Sequence, residues 1–382
     1  MEKLTNDDLK ALVRSVFPLF PEDRWLGILV DIPRDPQKDN AAWKERRRMA
    51  AEWCAALKDV SPRIPLEGVK LIAFPDTGSN NADLPPSAVL ISGDIPDTAH
   101  GLDRLGTSVP FEKIFRDTQL FLAPTEYSTT APLKNAAKIF GFRAATMPGF
   151  SARMIPALRI DYNEVGRRVN LLKERLDRAE AAEIMFTAED LGNFQMRFDL
   201  RRTTAHTSSG RFPERGTAGN LPSGETYIVP FEGRQGDPSR TEGTLPVQIG
   251  PEIVLFQVKN NRAFEARGEG PEADAEQEHL RREPAFGNMA ELGFGVLEDF
   301  GLRPIGEILL DEKLGLHVAF GRSDHFGGLV GPAAFSSPRE VVHLDRIYIP
   351  ATQPRVRPRS VTLEFSGQQR ELIMADGRYL TF

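Results

Sequence analysis

Three of the chain's six histidines, His317, His325 and His343, fall within the stretch Gly287–Asp345, together with the carboxylates Glu291, Glu312 and Asp345. Imidazole and carboxylate are the side chains that bind zinc, cobalt, manganese or ferrous iron. The stretch reads GNMAELGFGV, then GEILLDEKLGLHVAFGRSDHFGG, then VVHLDRIYI: apolar segments broken by glycine turns. On a strand, residues two apart face the same way, so His343 and Asp345 can reach one ion. His317 sits in LHVAFG, just ahead of a glycine-rich turn that leaves space for a ligand. Glu291 sits in AELGFG, whose small neighbours permit close approach. Glu225, upstream in GETYIVP, and Glu312 complete a group of four carboxylates and two imidazoles, enough for two divalent ions that share a carboxylate. Two ions about 3.5–4 Å apart favour attack of a metal-bound hydroxide on a polarised carbonyl or phosphoryl group. The competing reading satisfies each residue separately, with Glu312, for example, capping a turn or pairing with Lys313.

Stepping outward from these residues, the C-terminal half supplies the strands they need. AEIMFTA (182–188), FQMRFDL (194–200), GETYIVP (224–230), TLPVQI (244–249) and EIVLFQV (252–258) read as strands, Asn260-Asn261 as a turn, and 361–377 as a closing hairpin. The stretch 201–224 is a long polar loop containing His206, and 273–282 a polar helix containing His279; neither histidine is expected to be a ligand. The N-terminal half alternates differently. Helices are expected over 6–17, capped by Asn6, over 40–60 with Trp43, Trp53 and Cys54 on its apolar stripe, and over 132–140. Between them the apolar runs VKLIAF (69–74), AVLIS (88–92) and QLFLAP (119–124) read as buried parallel strands, with loops at 76–86 and 93–106, and the strand-like RAATMPG (143–149) adds another α/β step. The pattern over 151–180 is helical and divided at Pro156. The expected fold class is therefore α/β of mixed α+β character: an open α/β domain over 1–160, a connecting helix over 161–180, and a β-rich metal-binding domain over 181–382.

Composition narrows the function. The 382 residues carry a net charge of −6, which gives no electrostatic reason to expect nucleic acid or an anionic membrane as partner. The acidic N-terminus lacks the apolar segment of a secretory signal, and no run is long enough to span a bilayer, so a cytoplasmic protein is expected. A single cysteine, Cys54, leaves nitrogen and oxygen as the metal donors. No GxGxxG or GxxxxGK[ST] indicates a nucleotide site.

Taken in order, NLPSGETYIVP, NMAELGFG, DEKLGLHVAFG and HLDRIYI resemble the thermophilic metallo-aminopeptidase family, and STTAPLKNAAKIFGFRAATMPGFSARM is similar to that family's N-terminal domain. The resemblance runs from about residue 120 to the end. It implies two divalent ions, zinc or cobalt, held by Glu225, Glu291, Glu312, His317, His343 and Asp345. It also implies a homodimer that removes N-terminal residues from small peptides. The family places a tyrosine shortly after its HxAxG motif, where this chain reads Arg322-Ser323-Asp324-His325-Phe326. Oxyanion stabilisation then moves to His325 or Arg322, which puts His325 with Glu291 among the expected catalytic residues. HFGG (325–328) resembles instead the family's 2,5-dihydroxypyridine dioxygenase-like branch, which opens an aromatic ring with one ferrous ion held by two histidines and a carboxylate. The chain keeps Glu291 where that branch has a histidine, which favours the hydrolase. The alternatives are the Fe(II) dioxygenase and a non-catalytic metal-binding scaffold.

Overall fold

The computed structural model describes residues 2–60, 65–92 and 94–382. Gly93, the first residue of the expected 93–106 loop, lies outside them. The chain forms two compact units, Met1–Gly166 with Ser208–Ser223, and Arg167–Thr207 with Gly224–Phe382. The first unit thus takes in a segment expected in the C-terminal domain. The break between units falls inside helix α5 (Tyr162–Leu176), the connecting helix of the sequence reading.

The first unit holds a seven-stranded sheet in the order β10-β6-β5-β1-β2-β3-β4. Its strands are β1 (Trp25–Ile32), β2 (Gly68–Pro75), β3 (Ser87–Ile91), β4 (Gly106–Pro110), β5 (Leu120–Ala123), β6 (Arg143–Thr146) and β10 (Ala218–Asn220). β1, the central strand, is absent from the sequence reading. Its run LGILVDI is buried throughout and pairs in parallel with both β2 and β5. β3, expected to be parallel, runs antiparallel to β2 because the connection between them carries no crossover helix, and β4, absent from the sequence reading, pairs antiparallel with β3. Helix α1 (Asn6–Val16) is capped by Thr5, one residue before the expected Asn6: Thr5 and Asp8 form a reciprocal capping box. α1 packs on α2 (Ala41–Val60), which covers β1 and β2. Helices α3 (Phe111–Arg116) and α4 (Thr130–Phe140) deliver Phe111, Ile114, Phe115 and Leu133 to a core shared with Leu29, Ile72, Phe121 and Phe142.

The second unit is β-rich. An antiparallel sheet runs β14-β13-β12-β8-β7-β18-β19-β20, from β7 (Ala179–Ala188), β8 (Gly192–Asp199), β12 (Glu242–Ile249), β13 (Glu252–Lys259) and β14 (Arg262–Arg267) to β18 (Val356–Phe365), β19 (Arg370–Ala375) and β20 (Arg378–Tyr379). Asn260 and Asn261, both at positive φ, make the tight turn between β13 and β14. Helix α6 (Pro271–Arg282) packs on β13 and β14 and stacks His279 on Phe286. A smaller sheet, β17-β16-β15-β11-β9, comprises β9 (His206–Ser208), β11 (Glu225–Ile228), β15 (Met289–Gly295), β16 (Leu316–Gly321) and β17 (His343–Ile347). The short helix α7 (Ile308–Asp311) leads through a turn into β16. No helix among the described residues is long and apolar enough to cross a membrane.

Candidate metal centre

Strand alternation gathers the candidate ligands. Glu225 and Tyr227 on β11, Glu291 and Gly293 on β15, His317 and Ala319 on β16, and His343 and Asp345 on β17 all occupy one face of the smaller sheet. The cross-strand register sets each large side chain against a small one. Glu225 stands opposite Gly295, Gly293 lies between Tyr227 and His317, and Ala319 lies between Glu291 and Asp345. This arrangement is required: a Cβ built on Gly293 would overlap the His317 ring, and one on Gly295 would strike the Lys313 backbone. Glycine and alanine therefore form a floor over which imidazoles and carboxylates can lean together.

On that floor Glu291 is central. Its Oε1 lies 3.2 Å from Nε2 of His317 and its Oε2 lies 3.3 Å from Nε2 of His343. The other nitrogen of each ring is held by a backbone carbonyl, Nδ1 of His317 by Gly315 O at 3.2 Å and Nδ1 of His343 by Arg322 O at 2.8 Å. A ring that donates through Nδ1 presents a bare Nε2, which is the tautomer a metal ligand needs. Two groups of donors result, each within 4.8 Å of one another: Glu225, Glu291 and His317, and Glu291, His343 and Asp345. Three protein donors so close together could hold a divalent ion.

Glu312, the sixth expected ligand, lies in neither group. It pairs with Lys313, whose ammonium is 2 % exposed and also donates to Oε1 of Glu225 at 2.5 Å. Lys313 thereby turns Oε2 of Glu225 toward His317, 3.6 Å away. That oxygen is buried and has no hydrogen-bond partner among the described residues. A buried carboxylate oxygen without a donor costs free energy that a cation would recover, so the residues fit a divalent ion.

The electrostatics agree. Burial opposes the charged imidazolium, yet Glu291, Glu225 and Asp345 raise His317 to about 9, and Asp345 with Glu291 raises His343 to about 11. Burial works against the Glu291 carboxylate, but hydrogen bonds from the two imidazoles hold it well below the usual range. Glu312 is raised to about 7 by burial and by the nearby charges of Glu225 and Asp345, against the pull of Lys313. In the absence of a cation, the imidazoles take up protons to balance the buried acids.

His325 is not in either donor group. Its ring stands edge-on to His343 at 5.0 Å, and burial together with the His343 charge lowers it to about 4, so it is a neutral imidazole. Arg322 is engaged by Asp324 at 2.5 Å. Two neighbours of the centre escape the sequence reading. Lys313 appears there only as a partner for Glu312, because lysine is rarely buried. Tyr227 is missed, although its position two residues beyond Glu225 on a strand was the available signal.

No family model and no curated protein matches the sequence. Among solved structures, the fold is shared with 2,5-dihydroxypyridine dioxygenase from Pseudomonas putida KT2440, at TM-score 0.59 and 16% identity over 99% of this chain and 98% of that one. It is also shared with wild-type AmpT from Thermus thermophilus, at TM-score 0.56 and 13% identity over 98% of each chain.

Proposed function

We propose that the chain is a metal-dependent hydrolase of the aminopeptidase type, acting at the N-terminal peptide bond of small peptides. The observation that carries this reading is the shared carboxylate: the two oxygens of Glu291 face two different imidazoles and join two three-donor groups into one centre. Zinc or cobalt ions would be held here by Glu291 together with Glu225 and His317 on one side and His343 and Asp345 on the other. Ions bound there would supply a water with pKa lowered to about 7 and polarise the scissile carbonyl. The protein's own residues do the rest. The backbone carbonyls of Gly315 and Arg322 fix the tautomers of the two histidines, and Lys313 fixes which oxygen of Glu225 faces the centre. Glu291, kept ionised between the imidazoles, acts as a ligand in preference to a proton carrier. The fold shared with AmpT is consistent with this reading.

One observation favours a second reading, a ferrous ring-cleaving dioxygenase. Tyr227, Phe326 and His206 form an aromatic wall beside His343, a surface on which a flat ring can stack. The two readings separate in one experiment. Protein loaded with zinc or cobalt releases p-nitroaniline from aminoacyl p-nitroanilides under the first. Absence of turnover across a broad panel, with metal bound, sinks it. Oxygen uptake by anaerobically iron-loaded protein with a dihydroxylated pyridine would establish the second.

A further inference from the structure

The stretch Arg322–Phe326 carries no tyrosine, and the two groups there that could steady a developing oxyanion are poorly placed for it. Arg322 is held by Asp324, and His325 is turned edge-on to His343. A tyrosine nevertheless reaches the centre from a different strand. Tyr227 follows Glu225 by two residues on β11, so both side chains stand on the ligand-bearing face. Across the sheet it is opposite Gly293, and Gly293 is opposite His317, so no side chain lies between the phenol and that imidazole along the row.

The ring is fixed on both sides. It packs against Phe326 at 4.7 Å and stacks on His206 at 5.4 Å with 29° between planes. Its hydroxyl, in contrast, makes no hydrogen bond among the described residues. A phenol O–H fixed beside a metal centre and without a partner is a donor waiting for an acceptor.

We propose that the Tyr227 hydroxyl donates the hydrogen bond that holds the oxyanion formed when water attacks the peptide carbonyl. This inference rests on the hydrolase reading. In the step, the water oxygen bonds to the carbonyl carbon and the C=O electron pair moves onto its oxygen, where Tyr227 meets it. The C–N bond then breaks, and the amine leaves with a proton that came from the water. Tyr227 keeps its own proton throughout. It replaces the tyrosine expected after the HxAxG motif, approaching from β11 instead of from the turn after β16.

The test compares zinc-loaded wild-type protein with Tyr227→Phe, which retains the ring and its packing. Turnover of an aminoacyl p-nitroanilide, zinc content, and calorimetric affinity for L-leucinephosphonic acid and for L-leucine are measured on both. Removal of one oxyanion donor lowers kcat by about 100-fold. KM, zinc content and L-leucine affinity should stay within about two-fold, while affinity for the tetrahedral phosphonate falls with kcat. Unchanged kcat and phosphonate affinity would overturn the inference, as would a loss that tracks zinc content or L-leucine affinity equally. A wild-type protein that binds zinc but hydrolyses nothing removes the hydrolase reading itself, a result distinct from an active wild type with an equally active Tyr227→Phe.

Discussion

Glu291 is the one side chain on which both donor groups draw, so its replacement has a consequence that no other ligand shares. Glu291→Gln keeps the shape and removes the charge from both positions at once. Metal retained after dialysis, read by elemental analysis, should fall toward none, a loss larger than the roughly 10–100-fold in affinity typical of an outer-shell partner. Asp345→Asn touches one group only and should leave the Glu225–Glu291–His317 position loaded. Equal losses in the two variants would contradict the shared-carboxylate geometry. The same residues set a pH dependence. His317 and His343 in the metal-free protein are raised to about 9 and about 11, above the ordinary histidine value of about 6.5. Their charged forms therefore stabilise the metal-free fold fully below about pH 6.5, and that stability is lost as pH rises through 9 and then 11. Metal binding has the opposite sign, because it needs both imidazoles neutral. Between about pH 6 and 9 the melting temperature of the chelator-treated protein should fall relative to that of the zinc-loaded protein, and the gap should widen. A gap that narrows with rising pH would show that the imidazoles are not the groups displaced.

Strands and their register turn these residues into a site, and here the small side chains matter as much as the ligands. Gly293→Ala places a methyl group where the His317 ring lies. The imidazole must swing away, at a cost of about 1–3 kcal/mol for the overpacking, and the donor group of Glu225, Glu291 and His317 opens. The expected result is loss of metal from that position with the far-UV circular dichroism of the sheet retained, measured together with a denaturant midpoint. Full metal content in Gly293→Ala would show that His317 is not a ligand. The ligand-bearing strands are legible because β11, β15 and β16 each set an acid or an imidazole in a short apolar run beside a glycine, and β17 carries an imidazole and an acid at alternate positions. His343 and Asp345 show this most plainly, since i, i+2 spacing alone places them on one face. What alternation does not give is which residue stands opposite which. Alternation puts Tyr227 on the face of Glu225, but only the pairing with Gly293 sets it in the row of His317. β1 is absent from the sequence reading although LGILVDI is an apolar run of the same kind as VKLIAF and QLFLAP, buried throughout and without alternation. β9 and β10 are three residues each, too short to leave a pattern in the Ser-, Thr- and Gly-rich stretch between β8 and β11.

For the whole molecule, the chain does not finish one unit before beginning the next. It leaves the first unit at Gly166, builds β7 and β8 of the second, and returns to the first for Ser208–Ser223. Composition marks neither crossing. The returning segment belongs to the first unit's sheet and core. β10 pairs in parallel with β6 at the sheet edge, and the carbonyl of Phe212 accepts from the buried guanidinium of Arg143 at 3.0 Å. The Phe212 ring lies 5.9 Å from Phe17. Arg143 is 1 % exposed and balanced by Asp23 at 2.5 Å and by the Pro18 carbonyl at 2.8 Å, so losing one acceptor leaves a buried donor unsatisfied, at about 1–3 kcal/mol. Loss of a buried phenylalanine costs about 3–5 kcal/mol, and the bared edge of β6 invites strand pairing between chains. Against a total stability of about 5–15 kcal/mol for a domain, these losses are large. A fragment of residues 1–166 should therefore unfold at markedly lower urea than the same fragment joined through a flexible linker to residues 208–223, and should sediment partly as aggregate. Equal urea midpoints for the two fragments would show that the first unit is complete without the segment the chain brings back to it.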